Sequence, residues 1–178
     1  MLICSSIYGL TRRSLWSKKF AMTAMVLYCT SGGFGLAREI TNNNENVADA
    51  DNFFFGLANL IGIDLFMVDI CFICDINPRI CWLTIIPPAS GLFMRCFMKK
   101  TSNRLSDITH ILSVGALFVF AIWEDKPILI FSGIAFLFAV LNGLDTTYDY
   151  DDVTAYNAIA VFCSTLYLNG KDFKDIGF

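Results

Sequence analysis

Six apolar runs, separated by short polar segments, constrain this chain more than any other feature. They cover residues 20–37, 53–74, 80–98, 108–123, 127–144 and 153–170. A membrane-spanning helix needs about 20 mainly apolar residues, so runs of this length approach the thickness of a bilayer. A helix on the surface of a soluble bundle shows a polar stripe, and the run 127–144 shows none. The sequence therefore predicts an all-α, polytopic helical membrane protein.

Composition supports a lipid environment for much of the chain. Of the 178 residues, 56% are hydrophobic and 16% are charged, whereas soluble domains contain roughly 45–50% apolar and about 25% charged residues. The net charge of −3 and the pI of about 5.0 argue against direct binding of nucleic acid. A soluble helical protein with an unusually large core is the alternative interpretation.

The positions of the basic residues favour one number of membrane crossings over another. The favoured arrangement has four spans, at 20–37, 53–74, 108–123 and 127–144. The run 80–98, broken by Pro87-Pro88, is then a re-entrant or interfacial segment, and 153–170 is a C-terminal interfacial helix or packs on the bundle. Of the thirteen lysines and arginines, all but Arg38 and Lys126 then lie on the cytoplasmic side. The alternative, six crossings, leaves a larger basic group outside: Arg38, Arg95, Lys99, Lys100 and Arg104.

The segment before the first run is basic and contains no acidic residue. Its charges are Arg12, Arg13, Lys18 and Lys19. A basic flank followed by an apolar run is also typical of a signal peptide, but residues 35–37 form only a weak cleavage site. We therefore expect a retained first span with a cytoplasmic N-terminus. The expected location is a bacterial inner membrane, with the mitochondrial inner membrane as the alternative.

Two carboxylates, Asp64 and Asp69, lie within the second apolar run. Each costs roughly 2.5–3.5 kcal/mol at the centre of a membrane helix, so each needs a partner or a function. They project about 140° apart around a helix and do not form one acid pair. One interpretation is an ion or proton pathway through an oligomer, to which Asn59 adds a polar group. The favoured interpretation is burial among protein neighbours, with Arg95, His110 or backbone groups as partners.

Cys71 and Cys74 form a CxxC motif at the edge of the second run, and Cys81 follows seven residues later. Membrane thiol oxidoreductases that pass electrons to quinone carry such a motif, but they need a second cysteine pair. Only Cys81 and Cys96 are candidates for that pair, so a thiol-redox function is a minor alternative. Zinc binding is not predicted, because no histidine is near and the spacing matches no common site. Most cysteines are expected to be buried as small hydrophobic residues.

Two charged segments are candidates for docking a soluble protein on cytoplasmic loops. The acidic segment lacks the turn glycine and bidentate glutamate of a calcium loop, so no metal site is expected there. For the acidic segment a solvated loop is the favoured interpretation, and docking of a basic soluble partner is the alternative. The candidate docking residues are Lys99, Lys100, Arg104, Asp149, Asp151 and Asp152.

Small residues recur on one face of the fifth run, at Ala135, Ala139 and Gly143. This spacing lets helix backbones approach closely in lipid, where the hydrophobic effect does not drive association. The pattern indicates close helix packing, within one chain or between copies. We expect a homo-oligomer.

The chain contains a single histidine, His110. It stands near the start of an apolar run, where capping or packing is more frequent than catalysis, and one histidine limits acid–base chemistry. We therefore expect a non-enzymatic membrane subunit without a cofactor: an oligomeric anchor, scaffold or sensor within a larger complex. An oligomeric ion- or proton-conducting pore that uses Asp64 and Asp69 is the alternative.

Overall fold

The computed structural model describes residues 1–42, 44–97, 103–144, 150–172 and 175. These residues form helices and no strand, which confirms the predicted all-α class. The helices are α1 (Leu2–Leu10), α2 (Lys19–Ile40), α3 (Glu45–Ile73), α4 (Pro78–Leu83), α5 (Ile86–Phe97), α6 (Asn103–Trp123), α7 (Pro127–Leu144) and α8 (Tyr150–Leu168).

Helices α2 and α3 form an antiparallel pair that is fastened near both ends. Asp51, near the start of α3, pairs with Arg38 near the end of α2 at 3.3 Å. Asp69, near the end of α3, accepts a hydrogen bond from the backbone N–H of Ala21 at the start of α2. At 1.5 Å per residue, the two carboxylates are about 27 Å apart along α3. We call the two ends of the bundle the Asp51 end and the Asp69 end.

The direction of α6 is given by two contacts with α3. Ser113 of α6 hydrogen-bonds to Asp64 of α3. Glu124, directly after α6, lies within electrostatic range of Cys74, directly after α3. Both helices therefore advance towards the Asp69 end and are parallel. Four crossings predict antiparallel α3 and α6 and six crossings predict parallel ones, but the number of crossings itself stays a prediction.

The run 80–98 is not one long helix. It contains most of α4 and all of α5, which are separated by Thr84 and Ile85. Pro87 and Pro88 occupy the first turn of α5, where a missing N–H costs no helical hydrogen bond. The 12 residues of α5 extend only about 18 Å, less than the roughly 30 Å of a hydrocarbon core.

The C-terminal helix α8 packs on the bundle, which is one of the two arrangements expected for the run 153–170. It packs against α1, α3 and α7. Because neighbours surround it on several sides, polar and small side chains on more than one face are buried. These include Asn157, Ala160, Val161, Ser164 and Thr165.

The first ten residues form a helix that the sequence analysis did not predict. Helix α1 packs against α2 and α8 and buries Leu2, Ser6 and Gly9, which recur with helical spacing. A side-chain carbon added at Gly9 would lie 2.2 Å from the sulfur of Met25. Small residues in α1 therefore permit its close approach to the bundle.

Among the described residues, α2 and α3 are long and apolar enough to cross a membrane. The most apolar part of α3 is 67% buried, whereas that of α2 is only 28% buried. Helix α3 also begins eight residues before the predicted run, because the side chain of Asn44 accepts a hydrogen bond from the N–H of Asn46 and caps it. Length and composition thus indicate membrane association, with α3 as the central helix.

Candidate functional site

A buried polar cluster joins α3 to α6 near the middle of the bundle. Asp64, His110 and Ser113 are 1%, 6% and 6% exposed. The hydroxyl of Ser113 donates to Oδ1 of Asp64, and Nδ1 of His110 lies 3.9 Å from Oδ2 of the same carboxylate. His110 and Ser113 are three residues apart and therefore share one face of α6. That spacing could have identified Ser113, which the sequence analysis missed.

The order of contacts in this cluster limits its chemistry. In a hydrolytic triad the hydroxyl bonds to the imidazole, and the imidazole bonds to the carboxylate. Here the Ser113 hydroxyl bonds directly to Asp64, so the imidazole does not stand between them. The cluster can hold two helices together, and it can accept or release a proton at Asp64 or His110.

Asp69 has a different environment from Asp64. Its Oδ2 accepts a 2.7 Å hydrogen bond from the backbone of Ala21, and the backbone of Phe20 is a second partner. The positive side chain of Lys18 is also within electrostatic range. The carboxylate therefore caps α2 from another helix and interacts favourably with the helix dipole. Asp64 and Asp69 face different helices, as their angular separation indicated.

Asn59 contacts α8. The side-chain amide of Asn157 donates to its Oδ1 at 2.8 Å, and Asn157 is 3% exposed. Two buried hydroxyls join α7 to α8 in the same way: Ser132 and Ser164 lie 2.7 Å apart, and Ser132 also donates to the carbonyl of Ala160. These contacts use polar groups between helices, which is typical of membrane bundles.

Helices α3 and α5 enclose a cleft of about 120 Å³ beside Asp64. Its walls are apolar apart from that residue, and they are formed by Ile61, Asp64, Leu65, Ile85, Ala89 and Leu92. Arg95, a predicted partner for the aspartates, lies on α5, but its side chain is outside the described part of the structure. His110 is the predicted partner that does approach Asp64.

The CxxC cysteines meet Cys81 at the Asp69 end. Cys71 and Cys81 are 2% and 0% exposed, and they lie within electrostatic range of each other. The sulfur of Cys74 lies 3.6 Å from the hydroxyl of Tyr167 on α8. Cys96 was a candidate for a second pair, and its side chain is outside the described residues. Within the described ranges, no group of three His, Cys, Asp or Glu residues is arranged to hold a metal ion.

The small residues of α7 pack within the chain. Ala135 and Ala139 are 4% and 5% exposed. They continue the face on which Ser132 contacts α8, so the stripe supports the α7–α8 contact. Gly143 belongs to α7, but its surroundings are not described.

Three of the predicted docking residues belong to helices that begin at the Asp51 end. Arg104 belongs to the first turn of α6, and Asp151 and Asp152 belong to the first turn of α8. Of these three, only Asp152 has a described side chain, and it is exposed. Lys99, Lys100 and Asp149 lie outside the described residues. The N-terminal basic segment precedes α2 at the Asp69 end, opposite the described starts of α6 and α8.

No family model, curated protein or solved structure matches this chain.

Proposed function

We propose that this chain is a non-enzymatic integral membrane subunit that acts as an oligomeric anchor or scaffold for a soluble partner. The observation that carries the proposal is the distribution of side chains in the bundle. Polar residues are buried between helices, while long apolar side chains are exposed. In water this distribution is unfavourable, whereas in lipid it is the expected one.

The exposed apolar side chains form continuous faces on α6 and α7. Leu112, Val119 and Ile122 of α6 are 68%, 58% and 76% exposed. On α7 the exposed residues recur at intervals of three and four, which is one face of a helix. They are Phe131, Ile134, Phe138 and Leu141. These two apolar faces are suited to contact with lipid.

The positions of the charged contacts in the α2–α3 pair agree with a bilayer. Arg38 and Asp51 mark one end, and Lys18 and Asp69 mark the other. The two carboxylates are about 27 Å apart along α3, close to the roughly 30 Å of a hydrocarbon core. The basic N-terminal segment favours a cytoplasmic Asp69 end, in a bacterial or mitochondrial inner membrane. Asp64 is then the carboxylate within the membrane, and the Asp51 end faces the other compartment.

A scaffold role is supported by how the buried polar groups are used. Asp69 caps α2, Asn59 contacts α8, and Asp64 contacts α6. Each contact joins two helices. A soluble partner with a basic surface would bind the acidic residues at the Asp51 end, on the face opposite the basic N-terminal segment.

Cysteine labelling tests the embedding and the orientation together. Glu39 and Arg79 are exposed residues that belong to the Asp51 end and the Asp69 end. In a background in which the accessible Cys4 and Cys74 are replaced with serine, we expect Glu39→Cys and Arg79→Cys to react with a membrane-impermeant maleimide from opposite faces of sealed vesicles, with that background alone as the control. Release of the chain by alkaline carbonate, or labelling of both variants from one face, would contradict the proposal.

Partner binding is tested separately. Attraction between exposed charges is screened by salt, so binding of a basic protein should weaken as ionic strength rises. Replacing Asp149, Asp151 and Asp152 with alanine should remove the binding. If the partner binds this triple variant as before, the proposed acidic docking surface is refuted. The proposed membrane anchor is not affected by that result.

A second candidate function, proton or ion conduction in an oligomer, is favoured by one observation. Oδ2 of Asp64 is buried without a hydrogen-bond partner within the described residues, and the imidazole of His110 is 3.9 Å away. An acid and a base can exchange a proton once they approach to hydrogen-bond distance or are bridged by one water molecule. Asp69 is bound to the α2 backbone, so Asp64 would be the principal group in such a pathway.

Proton flux into liposomes distinguishes the two candidates. A pathway predicts that Asp64→Asn abolishes flux and leaves assembly unchanged, while Ser113→Ala, which keeps the carboxylate, retains flux. Loss of assembly in Asp64→Asn, or absence of flux in the unmodified protein, would support the scaffold instead. Asp69→Asn is the matched carboxylate control and should reduce stability rather than flux.

A further inference from the structure

The turn between α3 and α4 brings Cys81 back onto the end of α3. Asp75 has a φ of 51°, a left-handed conformation that reverses the chain after Cys74. The side chain of Asn77 then accepts a hydrogen bond from the N–H of Arg79 and caps α4, which begins at Pro78. The local sequence therefore ends one helix and starts the next within four residues.

Cys81 is the residue of α4 that faces α3. It is fully buried, whereas its neighbours Ile80, Trp82 and Leu83 are 55%, 51% and 59% exposed. Its sulfur lies 3.6 Å from the carbonyl oxygen of Ile76, and the N–H of Ile76 donates to the carbonyl of Cys71 at 3.1 Å. Both cysteines therefore contact the same residue, and they lie within electrostatic range of each other. The two thiols are therefore held together by the fold, although ten residues separate them in the chain.

Cys74 is the cysteine through which an external disulfide can react with this buried pair. It is only partly buried, it lies one turn from Cys71, and Cys81 is within its electrostatic range. Disulfide exchange requires an accessible thiol that can attack an external disulfide. Cys74 meets that requirement, and Cys71 and Cys81 do not.

We propose that Cys71 and Cys81 form a reversible disulfide that locks α4 onto α3, with Cys74 as the thiol that first reacts. The oxidant is a low-molecular-weight disulfide, RSSR. Cys74 attacks one sulfur and releases one RSH, and Cys81 displaces the second RSH from the mixed disulfide. Cys71 then attacks Cys81 and restores the Cys74 thiol. The balance is two protein thiols and RSSR giving one protein disulfide and two RSH.

The Cys71–Cys81 disulfide differs from a disulfide within the CxxC motif. A Cys71–Cys74 disulfide would join consecutive turns of α3 and constrain no other helix. A Cys71–Cys81 disulfide would join two helices at the Asp69 end. It rests on the fold alone and does not depend on the proposed scaffold function.

Peptide mapping tests the proposal, because trypsin and chymotrypsin together place each cysteine in a separate peptide. Cleavage after Phe66, Phe72, Arg79 and Trp82 gives peptides 67–72, 73–79 and 80–82. The purified full chain in detergent is treated with 2-hydroxyethyl disulfide, blocked with N-ethylmaleimide and digested. We expect the dominant linked pair to be 67–72 with 80–82, and we expect dithiothreitol to reverse it.

Variants and an unfolded control make the outcome decisive. Cys81→Ser should lose the linked pair, Cys74→Ser should slow its formation, and Cys163→Ser should leave it unchanged. The proposal is overturned if 73–79 links to 67–72 or 80–82 as the dominant product, or if no linked pair forms. It is also overturned if detergent-unfolded chain gives the same yield of the pair, because the fold would then not be responsible.

Discussion

The close approach of α2 and α3 at Gly62 gives the sharpest prediction about stability. A side-chain carbon at Gly62 would lie 2.5 Å from the Tyr28 hydroxyl oxygen and 2.6 Å from two ring carbons. Carbon atoms in contact prefer about 3.5–4.0 Å. The Tyr28 ring is 2% exposed and stacks against Phe66 at a centroid distance of 6.5 Å. The ring therefore has little room to move away.

The expected change in the free energy of unfolding combines two opposing contributions. Overpacking a buried site costs about 1–3 kcal/mol, and replacing glycine with alanine within a helix contributes about 1 kcal/mol of stability. Gly33 in α2 is the matched control, because a carbon added there meets no atom within 4 Å. Gly33→Ala should therefore be neutral or stabilising. Gly62→Ala should be less stable than Gly33→Ala by the packing cost, about 1–3 kcal/mol.

Thermal unfolding in one detergent, followed by circular dichroism, measures this difference. A double-mutant cycle identifies its cause: in a Tyr28→Ala background the ring is gone, so Gly62→Ala should no longer be destabilising. If Gly62→Ala is as stable as Gly33→Ala, or if its cost persists without the Tyr28 ring, the inferred α2–α3 contact is wrong.

Three further predictions concern the polar contacts between helices. Asp69→Ala removes the cap of α2 and should lower the free energy of unfolding by about 1–2 kcal/mol, whereas Asp69→Asn keeps an acceptor and should cost less in the same thermal assay. Asn157→Ala should lower the free energy of unfolding by about 0.6–1 kcal/mol. Adding Asn59→Ala should lower it little further, because the hydrogen bond between the two side chains is already lost. If the effects of the two substitutions are additive, the Asn59–Asn157 pairing is refuted. Ser132→Ala should lower the unfolding temperature more than a double variant in which Ser164 is also alanine, since replacing both partners leaves no buried hydroxyl in that pair unpaired.

The helical class and most helix positions could be predicted from the sequence, because they depend on local properties. The run 127–144 coincides with α7. Pro87 and Pro88 indicated that the run 80–98 is interrupted, and a new helix does begin at Ile86 because proline is tolerated in the first turn. The helical angle between Asp64 and Asp69 correctly indicated that they face different neighbours.

The α1 helix was not predicted from the sequence. Its apolar residues preceded a basic flank, and the segment was interpreted only as that flank. The spacing of Leu2, Ser6 and Gly9 was the available signal. Nine residues form a marginal helix alone, so α1 depends on its contacts with α2 and α8.

The set of apolar helices and the scarcity of charge around them follow from neighbouring residues, so both could be predicted from the chain alone. The directions and partners of the helices depend on tertiary contacts. Asp69 caps α2 across 48 residues, α6 runs parallel to α3, and α8 packs on the bundle. Counting charges could not resolve these points, because charge bears on membrane orientation and does not specify which helices pack together. Packing between helices distant in the chain imposes a single arrangement.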